Sequence, residues 1–347
     1  MKIGIVGFAR AGKTTVFNAL TGLQAAVGTY GDASRPNLGT IKVPDARVDR
    51  LSAIFSPRKT TYAEVVFVDV PGGDRGGVLE QATLVQMRDA DALVQVVRGF
   101  PDPVTADAAD AVRDMGAFQS ELVLADLAIV EKRAERLRKE KGKEQEAELL
   151  ARCQAALETE TPLRRIALST VEERALAGFG LLSRLPLMLV VNVPEAAAAA
   201  PPSHAMRARL DADGLTGLAL CAQIEMEIAS LAAADRAAFL ADLGLAEAAR
   251  DRFIQAAYGL LDLISFLTTG EDEVRAWPIR RGTPAAKAAG KVHSDIERGF
   301  IRAEAVAYAD FIHFGSDAKC REAGKLRLEG KDYVVQDGDI IHFRFNV

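Results

Sequence analysis

Near the start of the chain, Gly7-Phe8-Ala9-Arg10-Ala11-Gly12-Lys13-Thr14 is set between the apolar run Ile3-Gly4-Ile5-Val6 and the helical pattern Thr15-Val16-Phe17-Asn18-Ala19-Leu20. Strand, glycine loop and helix in that order make a P-loop. Phosphate oxygens must be met by several backbone N–H groups at once, and only a loop freed of bulk at Gly7 and Gly12 can wrap that closely, with Ala9 and Ala11 as small members of the same turn. The helix that follows turns its positive end toward the anion. Lys13 then reaches the β- and γ-phosphates, the Thr14 hydroxyl ligates the Mg²⁺ that bridges them, and Thr15 neighbours the α-phosphate.

A carboxylate is needed on the next strand, and Ala63-Glu64-Val65-Val66-Phe67-Val68-Asp69 supplies one at its end. Asp69 in that position holds Mg²⁺, usually through water. Asp69-Val70-Pro71-Gly72 fits D-x-x-G, in which the Gly72 N–H meets the γ-phosphate and the run Gly72-Gly73-Asp74-Arg75-Gly76-Gly77 forms a second switch. Residues 21–38, rich in Gly, Pro and small polar residues, read as a first switch loop. Farther along, the apolar strand Pro186–Val191 leads into Asn192-Val193-Pro194-Glu195, where Asn192 stands to read a base. The run Leu218–Ala222 brings the backbone of Cys221 and Ala222 to the base's other side. Guanine-specific sites use Asn-Lys-x-Asp, whose aspartate accepts two hydrogen bonds from guanine. Val193 and Glu195 replace that lysine and aspartate, which favours ATP at least as much as GTP.

Positioning these groups takes a parallel sheet covered on both faces, because Ala92–Val97 and Pro186–Val191 read as buried strands alternating with helical patterns. The chain has 347 residues, 49% apolar and 26% charged, which suits a multidomain globular protein. Its net charge of −5 gives no global pull toward DNA or RNA, although a local patch still can. Three scattered cysteines and four scattered histidines suggest neither a disulfide framework nor a zinc site. No run approaches the ~18 apolar residues of a membrane span. A cytoplasmic protein without membrane partners is the expectation.

Four segments follow: 1–114 and 185–271 as the two parts of the P-loop domain, 115–184 as a helical insertion, and 272–347 as a small β-sheet module. In the insertion, Leu127, Val130, Ala134 and Leu137, continued by Leu150 and Leu157 beyond Lys141-Gly142-Lys143, predict an antiparallel helical hairpin. Its tip, 136–143, is basic enough to touch RNA. Ser169 and Glu172 have capping-box spacing, and 196–202 reads as a linker. In the last segment, 274–279, 332–335 and 339–345 read as strands, with a helix over 284–292: a β-grasp, ubiquitin-like module suited to interaction.

Taken together, these motifs resemble those of the YchF or Obg-like ATPase family, translation-factor-related P-loop NTPases, over essentially the whole length. The likeness runs through the P-loop, Asp69–Gly72, Leu124-Ala125-Asp126-Leu127, Asn192–Glu195, Gly299–Glu304 and Leu326–Tyr333. It implies that the β-grasp module is a TGS domain, that the insertion is a coiled coil, and that both dock on ribosomes. It also implies a nucleotidase that binds ATP at least as well as GTP. Gly73 stands where switch GTPases commonly carry a water-orienting glutamine, so unaided hydrolysis is expected on the order of 10⁻⁴ to 10⁻² s⁻¹. The family's P-loop usually has Pro-Asn where this chain has Ala9-Arg10, and a guanidinium at Arg10 could offset transition-state charge. Ala33 replaces the first-switch threonine, with Ser34 or Thr29 as substitutes. Two functions remain open: a Mg²⁺-dependent NTPase with catalytic Lys13, Gly72 and Arg10, or a nucleotide-gated docking module with negligible hydrolysis. A nucleotide kinase would need an arginine-rich acceptor lid, which the sequence lacks.

Overall fold

The structure is a computed structural model that describes residues 1–23, 25, 36–71, 79–102 and 104–346. Thr29, Ala33, Ser34, Gly72 and Gly73 lie outside the described residues. Along the chain run β1 (Lys2–Val6), β2 (Asn37–Lys42), β3 (Lys59–Thr61), β4 (Glu64–Asp69), β5 (Ala92–Arg98), β6 (Leu187–Asn192) and β7 (Thr216–Leu220). After them come β8 (Leu263–Thr268), β9 (Glu273–Arg280), β10 (Phe300–Ala307), β11 (Arg327–Glu329) and β12 (Asp339–Phe345). The described chain divides into two compact units, 1–41 with 66–253, and 42–65 with 254–347.

The first unit is built on a six-stranded sheet in the order β2-β4-β1-β5-β6-β7. Strand β1 runs parallel to β4 on one side and to β5 on the other, and β5, β6 and β7 continue in parallel. Every residue of β6 is buried, as the apolar run demanded of a strand covered on both faces. The strand order turns outward from β1, so the crevice beyond its C-terminal end is where such a sheet takes a ligand. This is the P-loop α/β fold expected from the sequence.

The helix Ala111–Leu137 leaves this sheet and returns as Glu144–Glu158, with Gly142 in the left-handed region between them. Val130, Leu137, Leu150, Cys153 and Leu157 form the apolar seam of the hairpin. At its base Asp126 is wholly buried, and its two carboxylate oxygens accept from the N–H groups of Leu182 and Ser183 at 2.8 and 2.7 Å. Burial pushes that carboxyl up, and the N–H donors pull it back toward the ionised form. The capping box at Ser169 and Glu172 is present.

In the second unit a six-stranded sheet has the order β11-β10-β12-β8-β9-β3. Hairpin β8–β9 is antiparallel and the last strand, β12, lies parallel to β8, with the helix Ala285–Val292 buried through Ala285, Ala288 and Ala289. That is the β-grasp arrangement. Two details depart from the sequence reading. Residues 332–335 form no strand, since only Val334 bridges, to Pro284. Residues 42–65, assigned by sequence to the nucleotide domain, pack in this unit: β3 pairs with β9, and Arg47 binds Asp337 at 3.0 Å. Sequence neighbours gave no hint, because these are long-range pairings. No helix among the described residues is long and apolar enough to cross a membrane.

Candidate nucleotide-binding site

The P-loop emerges at the crevice beyond β1. Gly7 has φ 137° and Gly12 φ 86°, and a Cβ on either would collide, with the Val96 carbonyl at Gly7 and with the Asn192 amide at Gly12. Both glycines are therefore fixed by backbone conformation and by space. Helix Lys13–Thr21 begins immediately, with the Val16 N–H donating to the Gly12 carbonyl at 2.9 Å. Phe8 packs edge-on against Phe118 of the long helix, centroids 5.6 Å apart, which seats the first turn of the loop. Lys13 is only 7% exposed and its Nζ donates to the Phe8 carbonyl at 2.9 Å, so the cation lies folded within the loop. Ala9 and Thr15 are half-buried and Ala11 is buried.

Asp69, the last residue of β4, lies beside Ile5 of β1 in register. Thr14 Oγ1 donates to Asp69 Oδ2 at 2.8 Å, and Asn37 Nδ2 donates to the same oxygen at 3.2 Å. Asp69 Oδ1 is buried with no hydrogen-bond partner among the described residues. A buried carboxylate oxygen left unpaired costs on the order of 1–3 kcal/mol. A hydrated Mg²⁺ needs only one or two protein oxygens and could meet that oxygen through its water shell, so the hydroxyl and carboxylate present here fit the ion. Asn37 was not foreseen, because its approach to Asp69 comes from the pairing of β2 with β4 rather than from any local pattern.

Asn192 ends β6 and is 5% exposed. Its Nδ2 donates to the Ala11 carbonyl at 3.1 Å and its Oδ1 accepts from the Ala222 N–H at 3.2 Å. Its own carbonyl accepts from the Gly99 N–H at 2.8 Å. The side chain expected to read a base thus also ties the P-loop to the turn after β7. Val193 packs between two apolar clusters, one around Met115 and Met206 and the other around Ile224 and Ile228. Glu195 is exposed at the start of the short turn Glu195–Ala197. Cys221 and Ala222 are buried where helix Ala222–Ser230 begins. The stretch 196–202, read as a mere linker, walls an apolar cavity of about 370 Å³ with Val191, Val193 and Met206.

Arg10 sits on the loop with φ 62° and a half-exposed side chain, its guanidinium 3.3 Å from Asp102 Oδ1. Asp102 is buried, accepts from the N–H groups of Val104 and Thr105 at 2.8 and 3.1 Å, and has Arg98 at 3.6 Å. Those two N–H donors first, and then the two arginines, hold its carboxyl below the usual range. Sequence reasoning missed Asp102, and nothing local marks it.

The geometry agrees with what the chain matches. Residues 2–133 fit the family model described as a 50S ribosome-binding GTPase, and residues 263–346 fit the C-terminal domain model of YchF GTPases, described as a protein of unknown function. The ribosome-binding ATPase YchF of Bacillus subtilis is 40% identical, with 99% of each chain covered. The protein of the same description from Escherichia coli O157:H7 is 38% identical over 100% of this chain and 99% of its own. Among solved structures, the YchF GTPase of Schizosaccharomyces pombe superposes with a TM-score of 0.88 at 30% identity, covering 99% of this chain and 97% of the other. Identity of this extent, running from the glycine loop to the last strand, makes this chain a member of the YchF family.

Proposed function

We propose that this protein is a Mg²⁺-dependent nucleoside triphosphatase that binds ATP at least as tightly as GTP and works in the cytoplasm in association with ribosomes. The observation that carries the reading is the meeting of the Thr14 hydroxyl with a buried Asp69 carboxylate beside Lys13. A carboxylate 55 residues along the chain from Thr14 has been brought to the first turn of the P-loop helix. Thr14 and Asp69 would hold the ion, which when bound offsets charge on the β- and γ-phosphate oxygens. Lys13 exchanges its bond to the Phe8 carbonyl for phosphate oxygens, the loop N–H groups from Ala9 to Thr15 line the polyphosphate, and the Gly72 N–H reports the γ-phosphate. Asn192, Val193, Glu195, Cys221 and Ala222 border the base.

For ribosome association we infer two docking surfaces, the tip of the helical hairpin and the C-terminal module read as a TGS domain. At the tip, Arg133 is neutralised by Glu140 and Glu146, and Lys143 approaches Glu146 at 3.5 Å. Arg136, Arg138, Lys139 and Lys141 are exposed and carry no acidic partner among the described residues. A rigid two-helix arm ending in uncompensated cations suits a phosphate backbone, whose binding releases counterions and weakens with salt. Replacing Arg138, Lys139 and Lys141 together by glutamate is expected to abolish co-sedimentation with ribosomes at moderate salt. Unstimulated phosphate release from Mg·ATP should be unchanged in that variant. Undiminished co-sedimentation would remove the tip from the docking surface, and no phosphate release with or without ribosomes would leave the docking-module reading in place of the enzyme.

A further inference from the structure

Arg10 stands on the loop in the left-handed region, at φ 62°, where glycine would sit without strain. An arginine kept in such a place needs something to hold it, and Asp102 does so. The carboxylate is prepared before any ligand arrives. Its backbone N–H donates to the Asp107 carbonyl and its carbonyl accepts from the Ala106 N–H, so the turn that carries it is closed at both ends. Its Oδ1 then takes the N–H groups of Val104 and Thr105 and the Arg10 guanidinium, while Oδ2 faces Arg98. The loop is further tied at Gly99 to Asn192, whose side chain grips Ala11, the residue after Arg10. One carboxylate among two guanidiniums leaves a surplus positive charge.

Resting on the P-loop reading above, we propose that Asp102 is a positioning residue that fixes Arg10 as a second cation, after Lys13, for the polyphosphate of the bound nucleotide. A long arginine side chain already held in one geometry loses less conformational freedom when an anion arrives, so the clamp strengthens binding without touching the ligand. Asp102→Asn is the clean variant, because an amide oxygen still accepts the Val104 and Thr105 N–H groups and only the charge is lost.

The test is calorimetric titration of Mg·ATP into the full chain and its Asp102→Asn, Asp102→Glu, Arg10→Ala and Arg10→Ala/Asp102→Asn variants, at several salt concentrations. Asp102→Asn and Arg10→Ala are each expected to weaken binding about fivefold or more, the size of a charge-assisted contact. The double variant should be no weaker than Arg10→Ala alone, since residues acting as one unit do not add. Asp102→Glu should recover part of the loss, and both single variants should flatten the salt dependence. Additive losses would show that Asp102 acts only on its own loop, and tighter binding in Asp102→Asn would show that it withholds Arg10; either result overturns the proposal. Lys13→Ala serves as the reference: parental affinity there would overturn the P-loop reading and this inference together, whereas lost affinity there with additive Arg10 and Asp102 effects overturns this inference alone.

Discussion

Replacing Lys13 by alanine is expected to weaken Mg·ATP binding by at least about a hundredfold while leaving the fold in place. Lys13 is buried at the start of the helix, and its Nζ donates to the Phe8 carbonyl at 2.9 Å. Charge-assisted bonds to phosphate are worth roughly 1.5–3 kcal/mol, which corresponds to a tenfold to hundredfold change each, and the lysine offers more than one. The cost to folding is expected to be smaller, because the side chain belongs to none of the apolar clusters. Calorimetry and thermal unfolding on the same preparation separate the two effects. Parental affinity in a folded variant would remove the loop from nucleotide binding.

The second large effect is expected at Asn192. Asn192→Ala unpairs the Ala11 carbonyl and the Ala222 N–H, both inside the crevice, and opens space beneath Gly12. A buried polar group left without its partner costs on the order of 1–3 kcal/mol, so the pair should lower stability by about 2–4 kcal/mol. Nucleotide affinity should fall with it, because the loop loses its tie to the turn after β7. Asn192→Asp keeps the acceptor for Ala222 but sets a carboxylate against the Ala11 carbonyl, and should bind Mg·ATP more weakly than the parent in spite of its near-identical shape. Urea unfolding with parallel titrations checks both; stability unchanged in the alanine variant would mean that the crevice is not held this way.

The parts of the site legible in the sequence were those whose chemistry is local. A glycine loop between strand and helix declares itself within about a dozen residues, and Asp69 is marked by closing an apolar strand. The helical hairpin showed in the spacing of Val130, Leu137, Leu150 and Leu157, all four of which are buried. What could not be read were meetings of distant residues. Asn37 reaches Asp69 through sheet order, and Arg10 meets Asp102 across a connection that begins after β5. Asn192 was singled out as a base reader, and its bonds to Ala11 and Ala222 could not be read because they depend on the juxtaposition of β6, β7 and the P-loop. In the second unit the alternating run 332–335 imitates a strand, yet Tyr333 and Gln336 are drawn to the buried Asp339 carboxylate instead, at 2.7 and 2.9 Å. Strand β8, which opens the C-terminal part of that sheet, is buried almost throughout and lacks alternation, so the composition change at 272 marks the module only after its strand Leu263–Thr268.

The crevice is proposed to take a nucleoside triphosphate without demanding guanine. Guanine selection needs a lysine stem over the ring and a short, fixed aspartate. Here Val193 is committed to packing between two apolar clusters, and Glu195, one methylene longer, stands exposed at the start of a short turn. On the proposed reading, these two residues are not expected to supply the paired acceptor that guanine requires, and adenine does not need it. Losing such a contact is worth a factor of about ten or more. Calorimetric titration of the unmodified protein with Mg·ATP and, separately, with Mg·GTP decides it: ATP is expected to bind at least as tightly as GTP, and GTP binding about tenfold tighter than ATP would exclude this base reading.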